Sequence, residues 1–170
     1  MLAPAPVNEW RIADDSDDAE ETVLAGGVSL GSSDLEMPYE NTGQGNPQII
    51  GVRFAGIPIP KGATITDAWV RFKVDETKGG TEPVNLIIEG ELSPNPATFS
   101  STVGDISSRP RTTAQVVWDI PQWATVHAMG PEERTADISS IVQEIVNQDG
   151  WVAGNALVLI IRDNPDNPSK

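Results

Sequence analysis

The sequence predicts an all-β protein, a jelly-roll-like antiparallel β-sandwich with one short helix before the last strand. Three observations lead to this fold class: the apolar runs are short and rich in Val, Ile and Thr, Gly and Pro are abundant, and several runs alternate apolar with polar residues. Alternation puts apolar side chains on one face of a strand and polar side chains on the other. At 170 residues we expect one domain, with a core over about 8–163 and a tail or truncated end at 164–170.

The clearest alternation lies at residues 68–75. The even-numbered positions from Ala68 to Val74 are apolar, whereas the odd-numbered positions from Trp69 to Asp75 are charged except for the tryptophan. We therefore expect this segment to be the central strand of a meander whose neighbours in sequence repeat the pattern. The other expected strands lie at residues 7–13, 48–56, 84–92, 115–120 and 156–161, the last of which is apolar on both faces and should be interior.

A helix is expected at about 140–148. Ser140 and Gln143 have the spacing of a capping box, apolar residues recur at helical spacing from Ile141 to Val146, and Gly150 would end the helix. We expect the helix to cap one end of the sandwich and to lead into the last strand.

The formal net charge of -14 restricts the partners of the chain. Nucleic acids and anionic membranes need a cationic surface, so neither is an expected partner. The sequence has no cysteine, which excludes disulfides and thiol chemistry, and no apolar run long enough to insert into a membrane. Residues 1–40 hold ten acidic residues against one arginine, so about two thirds of the net charge lies in the first quarter of the chain.

The densest acidic run is residues 14–21, which contain six carboxylates. Such a run is either a solvated acidic turn or a calcium site, because hard oxygen ligands clustered on a loop suit Ca²⁺. It lacks the glycine and the ligand spacing of an EF-hand loop, so a site would need a second segment, for which residues 33–36 are the candidate. The expected calcium ligands are Asp17, Asp18, Glu20, Glu21, Asp34 and Glu36.

No enzymatic activity is expected. Residues 27–31 match the G-x-S-x-G pattern of a nucleophile elbow, but glycine-rich turn sequence surrounds them and the single histidine, His127, has no visible partner. The carboxylates stand in polar surroundings, which do not raise a pKa into the range of a general acid.

Sugar binding would require aromatic faces that stack on a pyranose, with polar neighbours that orient its hydroxyls. Trp69 lies on the polar face of its segment and Trp123 follows a proline at the start of a loop, so these two are the candidates, together with Arg53 and Arg71. Each of the two tryptophans could instead pack beneath a loop or helix. The remaining tryptophans are expected to pack in the interior: Trp10, Trp118 and Trp151.

Four further acidic residues have a simpler interpretation than ligand binding. They would lie on the outer face of neighbouring strands, where cross-strand ion pairs explain the alternation. The acidic residues are Asp75, Glu76, Glu89 and Glu91, and their expected partners are Arg53, Arg71 and Lys73.

Seven stretches carry a resemblance to a known group: SDDAEE (16–21), SSDLE (32–36), GVRF (51–54), PKGATITDA (60–68), VDE (74–76), SSRPRTT (107–113) and GWVAGNAL (150–157). From about residue 10 to residue 163 the chain resembles a repeated module of large secreted bacterial proteins. Its broader relatives are the DNRLRE-type domains, a β-sandwich group that includes carbohydrate-binding modules. The resemblance implies an extracellular or cell-surface jelly-roll domain, often with bound calcium, attached to an enzyme or adhesin.

The resemblance also implies either a sequence that is cut short after residue 163 or an open sheet edge. Such modules close with a further apolar strand, which does not follow residue 163 in this sequence. Because an open edge is a template for pairing with another chain, we expect self-association through it.

Two functions are consistent with these observations. The first is a non-catalytic extracellular carbohydrate-binding accessory module, stabilised by calcium, that keeps an attached enzyme on a polysaccharide. The second is a structural or adhesive module of a surface protein or a self-associating assembly, with neighbouring modules as partners and no small ligand. The first predicts an exposed aromatic platform and the second predicts buried tryptophans; the resemblance favours the first.

Overall fold

The computed structural model describes residues 8–39, 47–77 and 84–166. These residues form six strands and one helix: β1 (Asp18–Thr22), β2 (Val28–Ser29), β3 (Gln48–Phe54), β4 (Val84–Glu91), β5 (Arg111–Ile120), α1 (Ser139–Val146) and β6 (Leu157–Asp163). The all-β class and the short helix before the last strand are confirmed. Within these ranges no helix is long and apolar enough to cross a membrane. The glycine-containing sequences at residues 40–46 and 78–81 predict turns, and both lie outside the described residues.

The six strands form one antiparallel sheet in the order β2-β1-β3-β6-β4-β5. β6 lies between β3 and β4, so Ile161 is opposite Ile50 on one side and Ile88 on the other. The apolar residues from Leu157 to Ile161 are all buried. The prediction of an interior last strand is confirmed, because apolar clusters cover both faces of the sheet at β6.

The prediction that residues 68–75 form the central strand is wrong. This segment lies outside the six-stranded sheet and bonds to a later part of the chain, where the N–H of Phe72 donates to Glu133 O (2.9 Å). Its two faces are as expected, since Val70 packs against the core and Arg71 is exposed. A segment with one charged face suits an outer layer, whereas the centre of a sheet covered on both faces needs a strand that is apolar throughout, such as β6.

The expectation of a first strand at residues 7–13 is also wrong over the described residues 8–13, which contain no strand. Trp10 and Ile12 nevertheless pack against the core. The first strand is β1, which begins at Asp18 within the acidic run. That run is therefore partly built into the sheet.

The larger core lies between one face of the sheet and a second layer, to which α1 contributes its apolar stripe. Phe72 stacks on Trp118 with 5.7 Å between ring centroids. Trp151 is buried, and its Nε1–H donates to Ile59 O (2.9 Å). The helix packs on the sheet face through its buried apolar stripe. Trp118 and Trp151 are both buried, so the prediction that they lie in the interior is confirmed.

The start of α1 differs from the expected capping box. Its N-cap residue makes no side-chain capping bond. Asp137 lies one position earlier, and its Oδ1 accepts hydrogen bonds from the N–H of Ser139 (2.9 Å) and of Ala68 (3.1 Å). Gln143 bonds instead to the backbone of residues 63–65, so it joins the helix to the segment beside it.

The other face of the sheet is covered by residues 92–110, which we call the covering loop. Its large apolar residues in this interface are Phe99 and Ile106, which pack with Ala19, Val158 and Ile160. So small an apolar contact needs further interactions to hold the loop in place, because ordering a loop costs conformational entropy.

Arg109 supplies part of that attachment. Its guanidinium donates to Glu91 Oε2 of β4 (2.8 Å) and to Asp105 Oδ2 (2.9 Å), and it lies 4.4 Å from the ring centroid of Phe99. The side chain is only 10% exposed. Charge-assisted bonds in such a setting are stronger than bonds between neutral groups.

Gly51 of β3 allows the Phe99 ring to lie directly on the sheet. A Cβ at position 51 would meet that ring at 2.5 Å. Gly51→Ala should therefore displace the covering loop and lower the free energy of unfolding by about 1–3 kcal/mol. Gly31→Ala is the control, because no atom lies within 4 Å of its added Cβ. Urea unfolding of the two variants checks this, and equal stabilities would contradict the contact between Phe99 and Gly51.

Candidate functional site

The six predicted calcium ligands lie on and beside β1, and three of them are buried: Asp17, Glu20 and Glu21. Successive residues of a strand point to opposite faces, so Glu20 and Glu21 point away from each other. In β3, Ile50 is opposite Glu20 and Ile49 is opposite Glu21. These residues form a strand instead of the expected acidic loop. Their carboxylates therefore point to opposite faces of the sheet.

Glu21 binds the covering loop. Its Oε2 accepts hydrogen bonds from the N–H of Ile106 (2.7 Å) and of Ser107 (2.9 Å). A buried charge is costly unless it is hydrogen-bonded. The two backbone donors therefore explain how this carboxylate is accommodated inside the protein.

Glu20 and Asp17 also have partners within the protein. Glu20 Oε1 accepts a hydrogen bond from the N–H of Glu36 (2.6 Å). Asp17 Oδ1 forms an ion pair with Arg53 Nη1 (2.6 Å), and Arg53 Nε donates to Pro96 O (3.0 Å). Arg53, a predicted ligand-binding residue, thus links Asp17 to the covering loop.

Asp18 is a carboxylate whose charge the fold disfavours. Partial burial raises the pKa of Asp18, and the nearby charges of Asp15 and Asp17 raise it further. The folded state therefore holds a proton on Asp18 more strongly than the unfolded state does. Ionisation of Asp18 lowers stability as the pH rises above the unfolded-state pKa and through the folded-state pKa.

The six residues do not fit a single calcium site. Calcium takes roughly six to eight oxygen ligands, but across residues 8–39, 47–77 and 84–166 no three His, Cys, Asp or Glu side chains are arranged to hold a metal ion. Asp34 accepts a hydrogen bond from Ser33 (3.2 Å), and Glu36 meets Glu20 through its backbone. Calcium binding stays a prediction of the sequence.

The predicted ligand-binding residues do not share one surface. Trp69 is partly buried, and the guanidinium carbon of Arg134 lies 4.6 Å from its ring centroid. Arg71 is exposed on the same segment. Arg53 is on β3, bonded to Asp17.

Trp123 packs into an aromatic cluster. Its ring centroid is 6.2 Å from that of Phe72 and 6.3 Å from that of Trp118. Its Nε1–H donates to Glu132 O (3.0 Å). This contact set is the one expected of a tryptophan packed beneath a loop.

The β4 carboxylates pair differently from the prediction. Glu89 is buried and binds Arg162 of β6 through both of its oxygens (3.0 Å each), while Glu91 binds Arg109. Sequence reasoning missed Arg162 because no local pattern reveals that β4 lies beside β6, and it missed Arg109 because no local pattern reveals that the covering loop packs on β4. The prediction that Glu89 and Glu91 pair with Arg53, Arg71 and Lys73 is wrong.

A groove of about 370 Å³ runs beside β5, which forms one edge of the sheet. We call it the β5 groove; it lies between residues 117–121 and residues 131–136. Its lining combines Trp118 with the exposed residues Asp119 and Glu132.

The other half of the β5 edge is closed by α1. The carboxylate of Glu144 accepts hydrogen bonds from the N–H of Thr113 (2.8 Å) and of Ala114 (2.7 Å). The strand is irregular there, since the register between β4 and β5 shifts at Glu89 and Glu91. Among residues 8–39, 47–77 and 84–166, no residue bonds to the half of the edge beside the β5 groove.

Residues 27–31 do not have the context of a nucleophile elbow. Ser29 lies in β2, and the described residues 30–39 contain no helix, whereas the elbow requires a strand, a sharp turn and a helix. His127 is an exposed loop residue whose N–H donates to Val74 O (2.7 Å).

Comparison of the chain with known protein families, curated proteins and solved structures finds no match to any of them. The resemblance to DNRLRE-type modules stays a prediction.

The divergence of the acidic side chains leads to a test with metal ions. A selective site filled at a hundredfold excess of calcium would add roughly 2.7 kcal/mol of stability, a rise in Tm of about 5–10 °C. We expect calcium and magnesium to give Tm values within about 1 °C of each other, because both divalent cations screen the surface carboxylates alike. Thermal unfolding in either salt and in chelator measures this. A rise of the larger size in calcium alone would contradict the geometry and restore the predicted site.

Proposed function

We propose that this chain is a non-catalytic structural or adhesive module of an extracellular assembly, with other protein chains rather than a small ligand as its partners. The observation that carries the proposal is the packing of its five tryptophans, none of which is highly exposed. The extracellular location follows from the sequence resemblance alone.

Tryptophans of a sugar-binding surface present a ring face to solvent. In this chain Trp118 and Trp151 are buried, Trp123 lies in an aromatic cluster, and Trp69 has a guanidinium over its ring. This arrangement supports the function that predicts buried tryptophans.

The charged side chains support the same function. Glu21 and Arg109 join strands to the covering loop, and Glu89 joins β4 to β6, so these charged residues are not gathered at a cleft. Contacts of this kind fix the shape of the domain. A fold whose charged residues serve its own packing is suited to act as a building unit.

Carbohydrate binding is the second candidate, and the β5 groove is the observation that favours it. The carboxylates of Asp119 and Glu132 line the groove and can accept hydrogen bonds from sugar hydroxyls. Trp118 offers little stacking surface, however, because it is only 2% exposed. The groove therefore supports this function less than the tryptophan packing supports the first.

Affinity gel electrophoresis against a panel of soluble polysaccharides separates the two functions. We expect the mobility of the wild-type chain, Trp69→Ala and Trp123→Ala to be unchanged by every polysaccharide. Trp123→Ala should lower the free energy of unfolding by about 1–3 kcal/mol because it removes packing against Phe72 and Trp118. Trp69→Ala, which loses mainly the contact with Arg134, should cost about 0.5–1 kcal/mol.

The variants also serve as controls for each other. Retention of the wild type on one polysaccharide, lost in either variant while its Tm is unchanged, would show a binding tryptophan. That result would replace the structural function with the carbohydrate-binding one.

A further inference from the structure

We propose that the open edge of β5, residues 115–119, pairs with the same edge of a second copy of this chain, as antiparallel strands related by a twofold axis at Val117. The inference rests on the proposed structural function and names the surface and the partner. Its basis is the direction of the backbone groups of β5.

That direction follows from the bonding of β4. The N–H of Gly90 points toward β5, where it donates to Thr112 Oγ1 (2.9 Å). Alternate residues of a strand direct their backbone groups to the same side, so the N–H and C=O groups of Leu86 also point toward β5. Leu86 is opposite Trp118 there. The residues of β5 that bond to β4 alternate with residues whose N–H and C=O groups point away from the sheet. These outward residues are Gln115, Val117 and Asp119.

These outward backbone groups have no hydrogen-bond partner within the described part of the chain. The β5 groove separates them from residues 131–136, so another chain can reach them. Val117, at the middle of the stretch, is 49% exposed. An unpaired edge with an exposed apolar side chain at its centre is a template for strand addition.

The open stretch has defined ends. On one side, Glu144 occupies the N–H groups of Thr113 and Ala114. On the other side, Pro121 has no N–H to donate. The stretch between them spans roughly 15 Å, enough for a short antiparallel pairing.

The sequence of this stretch is complementary to itself. With the axis at Val117, each Val117 faces its own copy and each Gln115 faces Asp119 of the second copy. No carboxylate is placed directly opposite another, which avoids the cost of a like-charge pair. Because all three residues direct their backbone groups outward, each opposed pair can exchange two hydrogen bonds.

The net charge does not prevent this approach. Of the total of -14, residues 1–40 carry -9, and their strands β1 and β2 lie at the opposite edge of the sheet. β1 is four strand spacings from β5, roughly 19 Å, which exceeds the Debye length of about 8 Å at physiological salt. The edge at β2 is only two residues long and adjoins the acidic run, so β5 is the favourable edge for self-association.

Sedimentation velocity over a concentration series tests the proposal with the wild-type chain, Val117→Pro and Val117→Thr. Proline removes the outward N–H but no bond to β4, and threonine keeps both the N–H and the branched shape. We expect the wild type and Val117→Thr to dimerise with similar dissociation constants. Val117→Pro should raise the dissociation constant at least about tenfold, since the central pair loses its hydrogen bonds in both copies.

Val117→Asp gives a second readout that leaves the backbone donor in place. It puts two carboxylates face to face at the axis, so dimerisation should weaken, and most strongly at low salt. Circular dichroism of each variant verifies that the monomer is folded.

The outcomes separate the edge from the proposed function. Undiminished dimerisation of both Val117→Pro and Val117→Asp would overturn pairing through β5 but leave a self-associating module. A wild-type chain that stays monomeric at every concentration would overturn the pairing, and the polysaccharide experiment alone would then decide the proposed function.

Discussion

The carboxylate of Glu21 reaches from β1 to the backbone of the covering loop, where it accepts two hydrogen bonds. The architecture depends on this contact because β6, at the centre of the sheet, is apolar on both faces and both faces must be covered. One face has a helix and an aromatic cluster over it. The other is covered by a loop whose apolar contacts are few, so hydrogen bonds and ion pairs must supply the rest of the attachment.

Two arginines extend the attachment of the covering loop, and a third joins two strands of the sheet. Arg53 joins Asp17 to the loop carbonyl of Pro96, Arg109 joins the loop to β4, and Arg162 joins β6 to β4 through Glu89. Removing one partner from a buried pair leaves an uncompensated charge, which costs far more than a surface pair contributes. The charged layer therefore favours one position of the covering loop over the alternatives. This use of charge explains how an acidic chain can bury so many of its carboxylates.

The sequence predicts where the strands and the helix lie in the chain better than it predicts which of them lie side by side. Alternation locates β3, β4, β5 and the faces of residues 68–74, and apolar spacing locates α1. Which strands pair is not a local property, so the placement of β6 between β3 and β4 could not be derived, and the meander was the wrong inference. The prediction that the acidic run forms a loop is wrong for residues 18–21, which lie in β1, and the reason is related. Charge density suggests solvent exposure, but whether a carboxylate such as Glu21 meets water or a backbone N–H depends on a loop some 85 positions later.

We expect two carboxylates of β1 to have opposite effects on stability. Glu21 is stabilised by two backbone donors, whereas burial and nearby charge raise the pKa of Asp18, so the ionised form of Asp18 costs stability at neutral pH. In a solvated acidic loop, removing the charge of either residue would relieve repulsion, so both substitutions would raise the stability. The difference between them is a direct sign that the run is a strand with individual partners.

The Tm values of Glu21→Gln and Asp18→Asn at pH 7 test this most directly. We expect Glu21→Gln to lower the Tm by about 3 °C or more, since the charge-assisted bonds to the covering loop are weakened. We expect Asp18→Asn to raise the Tm, because it removes a charge that the folded state disfavours. If both substitutions raised the Tm, the acidic run would be a repelling surface loop, and the charged attachment of the covering loop would be contradicted.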